Sequence, residues 1–158
     1  NHTHKFRATR TTAQTLTDKA FTRIQFNVES YDPGADYDNV TNFNYTVPVT
    51  GYYLITSTVQ LLLGGGAGAY NVDPILSIYV GGVETVRAQR YPTYVDFATG
   101  GLNHGIISSG LVGLVITAIL SLTATNTVDI RAYADNSAGN AASAEASLND
   151  FSMHLLSV

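Results

Sequence analysis

The stretch that decides the fold is YDNVTNFNYTVPVTGYYLI, residues 37–55. Between residues 43 and 49, apolar side chains alternate with polar ones, so one face of an extended strand is apolar and the other is polar. Thr50-Gly51 then interrupts the chain, and Tyr52 to Leu63 continues as a second segment rich in aromatic and β-branched side chains. The pattern predicts two strands joined by a turn, which form a β-hairpin.

Outside this stretch, alternation with a period of two predicts further strands, and Phe21 to Ser30 shows it most clearly. Gly81-Gly82 predicts a tight turn between two antiparallel strands. These further strands are expected at residues 5–12, 21–30, 74–80, 83–90, 111–120, 128–134 and 148–158. About eight to ten strands, frequent turn residues and no amphipathic helix predict an all-β sandwich or jelly roll.

The composition limits the functional classes. The 158 residues carry a net charge of -4 and only 13% charged residues, which gives no basic face for nucleic acid. The absence of cysteine favours a bacterial, archaeal or viral source, or stability supplied by oligomerisation. Without an initiator Met or a signal-peptide pattern, the sequence is expected to be a mature form or a fragment of a longer chain.

Two long stretches, residues 39–72 and 97–128, contain no Asp, Glu, Lys or Arg. Large contiguous apolar patches on a free surface normally mark an interface, so we expect these stretches to form core and subunit contacts. The run Leu111 to Leu120 would reach only about 15 Å as a helix, half the thickness of a bilayer. It predicts a strand that is buried on both faces and no membrane insertion.

The stretch 37–55 also resembles the globular head of the complement C1q family, whose members are related to the tumour necrosis factor jelly rolls. That family has Tyr-Asp, Thr-Gly-x-Phe, a Pro and Gly-x-Tyr-x-Phe in this order, and a closing Phe-Ser-Gly. The matching motif positions are Tyr37, Asp38, Thr41, Phe43, Pro48, Gly51, Tyr53, Phe151 and Ser152. Asn42 replaces a family Gly, Ile55 a family Phe and Met153 a family Gly. The resemblance implies a C1q/TNF-like jelly-roll domain over residues 5–158 that forms a homotrimer, with residues 1–4 as an N-terminal extension or the end of a stalk.

Catalysis has little support in the sequence. There is no Cys nucleophile and no Gly-x-Ser-x-Gly motif, and the four His, at positions 2, 4, 104 and 154, form no His-Glu-x-x-His pair for a catalytic zinc. We therefore expect a protein that is not an enzyme and that needs no cofactor.

Two groups of residues suggest a metal. Asp32, Asp36 and Asp38 lie in one turn-rich segment, and carboxylate oxygens are the ligands that calcium prefers. The resemblance adds that family members sometimes hold calcium near the trimer apex. His2 and His4 point the same way in an extended segment, so three parallel chains could place six imidazoles around one transition metal on the trimer axis, similar to elements of trimeric phage tail fibres. The alternatives are a solvated acidic turn and a disordered terminus.

Ten tyrosines offer candidates for a recognition surface. Aromatic side chains bury a large area at low entropy cost, which suits contacts with proteins and glycans. Most are expected to be structural, but Tyr70, Tyr91 and Tyr94 lie next to connections that contain Gly or Pro. These three are the predicted exposed binding residues.

Together these observations predict the trimeric head of a bacterial surface filament or phage fibre, located outside the cell, on the cell surface or on a virion. Three copies of a weak site would bind a multivalent cell-surface protein or glycan by avidity. The alternatives are a monomeric carbohydrate-binding jelly-roll module, a purely structural head, a capsid or filament subunit, and a cytokine-like ligand.

Overall fold

The computed structural model describes residues 3–63, 71–89, 93–96, 101–104, 110–136, 143–144 and 149–158. These residues form fourteen β-strands, ten of them with four or more residues, and none of them is helical. In chain order the strands are β1 Lys5–Thr9, β2 Gln14–Thr15, β3 Thr22–Arg23, β4 Val28–Tyr31, β5 Tyr45–Thr46, β6 Gly51–Leu63, β7 Asn71–Val80, β8 Val83–Gln89, β9 Thr93–Asp96, β10 Gly101–His104, β11 Gly110–Leu122, β12 Thr127–Asn136, β13 Ser143–Ala144 and β14 Asp150–Ser157.

The strands form two antiparallel sheets and a separate β9–β10 pair. Sheet A has the order β2-β13-β6-β14-β1-β4, with β11 on the other edge of β6. Sheet B has the order β3-β12-β7-β8, with β5 also paired to β12. The two sheets pack face to face, which is the architecture of a jelly-roll sandwich and confirms the predicted fold class.

The core lies between the sheets and has an aromatic centre. The ring of Phe6 stacks on Tyr37 at 4.5 Å and on Tyr45 at 4.9 Å, and Phe151 meets Phe6 edge-on at 4.8 Å. These rings are almost completely buried. β1 and β14 belong to sheet A, whereas β5 belongs to sheet B, so this cluster joins the two sheets.

The hairpin predicted over residues 37–55 is wrong. Only Tyr45–Thr46 forms a strand before Gly51, and it pairs with β12 in sheet B, whereas β6 pairs with β11 and β14 in sheet A. The chain therefore crosses from one sheet to the other near Pro48. Alternation correctly predicted that Tyr45 and Val47 are buried, because the core lies between the two sheets and each sheet turns one face of its strands toward it.

The continuous strand predicted over residues 21–30 is also divided. Ile24 and Phe26 are fully buried as expected, but Val28 is 40% exposed. β3 belongs to sheet B and β4 to sheet A, so the chain changes sheets between Arg23 and Val28. The change of sheet breaks the alternation that the sequence pattern extended to Val28.

β11 corrects a third expectation, that residues 111–120 are buried on both faces. Val112, Leu114 and Ile116 are buried, but Val115 and Ile119 are mostly exposed in the single chain. Conversely, the tight turn at Gly81-Gly82 is confirmed: both glycines have positive φ, and the turn joins β7 to β8. No helix in the described part of the chain is long and apolar enough to cross a membrane.

Candidate functional site

Sheet A presents an apolar outer face. Alternate residues of β11 and β6 point away from the core, and on β11 these include Leu111, Val115 and Ile119, which are 61%, 65% and 59% exposed. The antiparallel register places Leu111 opposite Leu62. We define the sheet A outer patch as Tyr52, Leu62, Leu111, Val115, Ile119 and Leu156.

The distribution of exposed apolar side chains over the two sheets is uneven. Among the residues whose burial the structure describes, eleven large hydrophobic side chains are exposed, and eight of these belong to strands of sheet A. The exceptions are Val40 in a loop, Val83 at the start of β8 and the terminal Val158. A concentration on one sheet face is typical of an interaction surface, whereas scattered single residues need no explanation.

A polar depression of about 510 Å³ lies beside this patch on the same sheet. Arg7 forms an ion pair with Asp150, with 3.2 Å between Nη2 and Oδ2, and the guanidinium of Arg10 donates to the carbonyl of Gln25. Burial lowers the pKa of Arg10. Gly113 lines the depression, and a Cβ atom placed there would meet nothing within 4 Å.

The three aspartates of the predicted calcium site do not converge. The carboxylate of Asp38 accepts hydrogen bonds from the backbone N–H groups of Thr41, Val40 and Asn42, which lower its pKa to about 2. Asp32 accepts from the backbone N–H of Tyr37. Both oxygens of Asp38 and Oδ2 of Asp32 therefore bond within the loop itself, whereas Oδ1 of Asp32 is buried without a hydrogen-bond partner among the described residues.

Asp36 has different partners. Its carboxylate accepts from the hydroxyl of Tyr45 and lies 3.7 Å from Nδ1 of His4. Within the described ranges, no three His, Asp or Glu side chains are grouped so that they could hold a metal ion. This segment of one chain therefore brings no such group together, and calcium binding stays a prediction. His2, needed for the axial metal hypothesis, lies outside the described residues.

Three motif residues of the family resemblance make structural contacts. The hydroxyl of buried Tyr37 donates to the carbonyl of Phe26, and burial raises the pKa of Tyr37 far above its ordinary value. Tyr53 is fully buried and donates to the carbonyl of Val49. A Cβ on Gly51 would collide with the carbonyl oxygen of Ser157, so close strand packing requires glycine there.

The predicted tyrosine surface stays a prediction. Tyr70 and Tyr91 lie outside the described residues. Tyr94 belongs to β9 and is paired with Asn103 of β10. Its side chain is outside the described part of the structure.

A second candidate site lies on the outer face of sheet B, where a buried carboxylate holds two arginines. Asp129 is 1% exposed. Its Oδ1 accepts from Nε of Arg131 at 2.6 Å, and its Oδ2 accepts from Nη2 of Arg23 at 3.0 Å. The hydrogen bond from Arg131 to this carboxylate raises the pKa of Arg131, and the shared carboxylate holds both guanidinium groups in place.

Aromatic rings surround this ion-pair group. Arg131 lies over the ring of Tyr79 at 4.0 Å, and Phe21 packs against Tyr79 and Tyr133. A cavity of about 350 Å³ opens beside the two arginines, lined by Phe21, Arg23, Gln25, Thr41, Asn42, Phe43 and Arg131. Phe43 has a positive φ of 49°, a backbone conformation that is uncommon for a bulky residue.

Sequence reasoning did not identify this second site. In the sequence, Asp129 and Arg131 are polar residues of the strand predicted over residues 128–134, and Arg23 is a polar residue of the strand predicted over residues 21–30. Arg23 and Asp129, which bond to each other in this site, are 106 positions apart in the sequence. Strand pairing, which the alternation of one strand does not specify, brings them together.

Comparisons with known proteins agree with the fold. No protein-family model and no curated protein sequence matches the chain. Among solved structures, the Eiger TNF of S. frugiperda is similar with a TM-score of 0.67 and 12% identity, over 99% of this chain and 94% of that one. The globular domain of the zebrafish complement 1qA protein has a TM-score of 0.56 and 17% identity, over 96% of each chain. The protein therefore has the C1q/TNF-like jelly-roll fold that the resemblance implied.

Proposed function

We propose that the protein is a non-enzymatic globular head that assembles as a homotrimer through sheet A and presents three copies of a binding surface outside the cell. The observation that carries the proposal is the sheet A outer patch. Its apolar side chains are exposed in one chain. Burial against another copy would remove them from water and stabilise the assembly by about 25 cal/mol per Å² of apolar surface buried.

A second copy of this chain is the partner that best fits the patch. Five of the six patch residues lie on β6 and β11, which contain no charged residue, so a contact between copies over these two strands would bring no like charges together. The fold is shared with a TNF protein and a C1q globular domain, and this likeness favours a ring of three over an open filament.

The biological setting extends the proposal. We infer that the head caps a longer bacterial surface filament or phage fibre and binds a multivalent surface by avidity. The absence of cysteine supports a source other than an animal extracellular protein. The second candidate function is a head that only aligns the three chains of a trimeric stalk. The sheet A outer patch would form the subunit contact in both cases.

The first experiment measures native mass by light scattering on a sizing column. Wild type is expected to have the mass of three chains. The double variant Val115→Lys/Ile119→Lys places charges in the patch and should be monomeric, because two unpaired charges cannot be buried without a large cost. Both side chains are exposed in the single chain, so the variant should still show a β-sheet circular dichroism spectrum.

Val83→Lys is the matched control, since Val83 is 68% exposed but lies on sheet B. It should stay trimeric. A monomeric wild type would overturn the trimeric head and favour a carbohydrate-binding module, and polymers beyond three chains would favour a filament subunit. If the double variant fails to fold, the milder Val115→Ser variant tests the same contact by a weakened association.

A further inference from the structure

We propose that the cavity on sheet B beside Arg23 and Arg131 is a binding site for a saccharide that carries a carboxylate. The proposal deepens the proposed function, since it names the ligand class of the head. The site itself is contained within one chain, so binding can be tested independently of trimer formation.

The geometry of the two cations is the first argument. Asp129, almost completely buried, accepts from both guanidinium groups and holds them side by side. Arg23 also donates from Nη1 to the carbonyl of Asn42, at 2.7 Å. A ligand therefore meets cations whose orientation has already been set, which lowers the entropy cost of binding.

Unused hydrogen-bond donors are the second argument. Each guanidinium has five N–H groups, and within the described ranges Arg131 donates only from Nε and Nη2, both toward Asp129. Nε of Arg23 is buried without a hydrogen-bond partner in the described chain. Arg23, Arg131 and Asp129 together carry one net positive charge, and a planar carboxylate is the group that a guanidinium matches best.

The rest of the lining favours a sugar over a simple anion. Gln25 and Asn42 supply amides and Thr41 supplies a hydroxyl, all at exposed positions, and these groups can bond to sugar hydroxyls. Phe21 and Phe43 supply apolar surface for the C–H face of a sugar ring. The volume of about 350 Å³ lies at the lower end of the range for ligand pockets, which suits one or two sugar units.

The backbone conformation of Phe43 supports the interpretation of the cavity as a ligand site. A φ of 49° lies in the left-handed region, which a bulky residue rarely adopts, and such strain is concentrated at ligand sites. The nearby carboxylate of Asp38 is already bonded by the side-chain amide and backbone N–H of Asn42. It therefore competes little for the guanidinium groups.

The position of the cavity fits a multivalent head. It opens on the outer face of sheet B, whereas the proposed subunit contact uses the outer face of sheet A. Trimerisation would leave all three cavities open. Each chain would contribute one weak site, and the trimer would add avidity.

The test titrates ¹⁵N-labelled protein with methyl β-D-glucuronide and, as the matched neutral ligand, methyl β-D-glucoside, followed by NMR chemical shifts. We expect the glucuronide to bind with a Kd of about 1 mM and the glucoside about tenfold more weakly. The shifts should be largest at β3, at β12 and at residues 41–43. Equal affinity for the two sugars, or no binding of either, would overturn the proposal.

Two variants locate the site. Thr41→Trp fills the cavity from an exposed position without touching Asp129, and should reduce glucuronide affinity about tenfold, whereas Thr85→Trp, exposed on β8 and away from the lining, should not. Arg131→Lys keeps the positive charge but removes the planar guanidinium, which can bind a carboxylate through two N–H groups, so this variant should also bind the glucuronide more weakly. Unchanged binding by Thr41→Trp would contradict the assigned location.

A blocked glutamyl-glutamate dipeptide distinguishes the ligand classes. It carries carboxylates without a sugar ring, and should bind more weakly than the glucuronide. If it binds as tightly, the site takes acidic peptides and the glycan assignment is wrong. Per-chain binding by a monomeric protein would support the site while refuting the trimeric head, so the two proposals fail separately.

Discussion

At the scale of single residues, carboxylates determine local order in two different environments. Asp38 is near the surface and accepts from the N–H groups of its own loop, while Asp129 is buried and holds Arg131 of its own strand and Arg23 of the neighbouring strand. The first interaction is local in sequence and screened by water. The second includes the non-local bond to Arg23 and is partly shielded, so its loss should cost more.

Asp38→Ala should lower the free energy of unfolding by about 1 kcal/mol at pH 7, because three loop N–H groups lose their acceptor but can turn to water. The folded pKa of about 2 lies below the unfolded value of about 3.9, so the stabilisation is present above pH 4 and is lost as the pH falls through 2. Urea titrations at several pH values measure this. A deficit that does not shrink between pH 5 and pH 2 would contradict it.

Asp129→Asn should lower the free energy of unfolding by about 2 to 3 kcal/mol. The amide keeps the shape of the side chain but leaves Arg23 and Arg131 without their counter-charge. The loss stays below that of a fully buried pair because the arginine side chains are 35% and 22% exposed. Denaturant unfolding with an unchanged m value is the measurement, and a loss below that of Asp38→Ala would show that the pair contributes little.

At the scale of elements, β6 is the strand on which sheet A depends. It pairs along its whole length with β11 on one side, and with β14 and β13 on the other. Its first residue, Gly51, lies against the carbonyl of Ser157, at the point where the chain arrives from sheet B. The chain therefore enters sheet A, and β14 packs closely against β6, at one residue that has no side chain.

Gly51→Ala should destabilise the fold by about 1 to 3 kcal/mol, because the added Cβ would overlap a backbone carbonyl that cannot rotate away. Gly113→Ala is the control. Its Cβ would meet nothing within 4 Å in a strand of the same sheet, and it should be neutral or slightly stabilising. Thermal unfolding of both variants compares them, and equal melting temperatures would show that β14 moves freely away from β6.

At the scale of the whole molecule, the two sheets have different outer faces. Sheet A presents apolar side chains beside a polar depression, and sheet B presents the arginine site with its aromatic surroundings. This asymmetry separates a surface suited to a copy of the chain from one suited to a small polar ligand. The proposed trimer and the proposed glycan site use opposite faces of the sandwich and are compatible.

If the trimer dissociates as it unfolds, its melting temperature should rise with protein concentration, by mass action. Scanning calorimetry over a hundredfold range of concentration tests this expectation. The Val115→Lys/Ile119→Lys variant, as a monomer, should melt at one temperature throughout the range. If the melting temperature of the wild type does not depend on concentration and its native mass is that of one chain, the trimer proposal is wrong.

Much of the core was predictable from the sequence because side-chain alternation is a local property. Ile24, Phe26, Tyr45 and Val47 were expected on apolar faces and are buried, and the Gly81-Gly82 turn forms as its residue types require. The candidate site was not predictable. Arg23 and Arg131 look like solvated strand residues until β3 pairs with β12.

The sequence by itself determined that the chain is an all-β protein, that Gly81-Gly82 forms a turn and that Ile24, Phe26, Tyr45 and Val47 face inward, since these features depend on neighbours along the chain. The tertiary structure decided which strands are partners. It divided residues 21–30 and 43–55 between two sheets, left one face of β11 uncovered and assembled the cavity around Asp129. Strand pairing joins segments far apart in sequence, and alternation within a strand specifies its faces but not its neighbours.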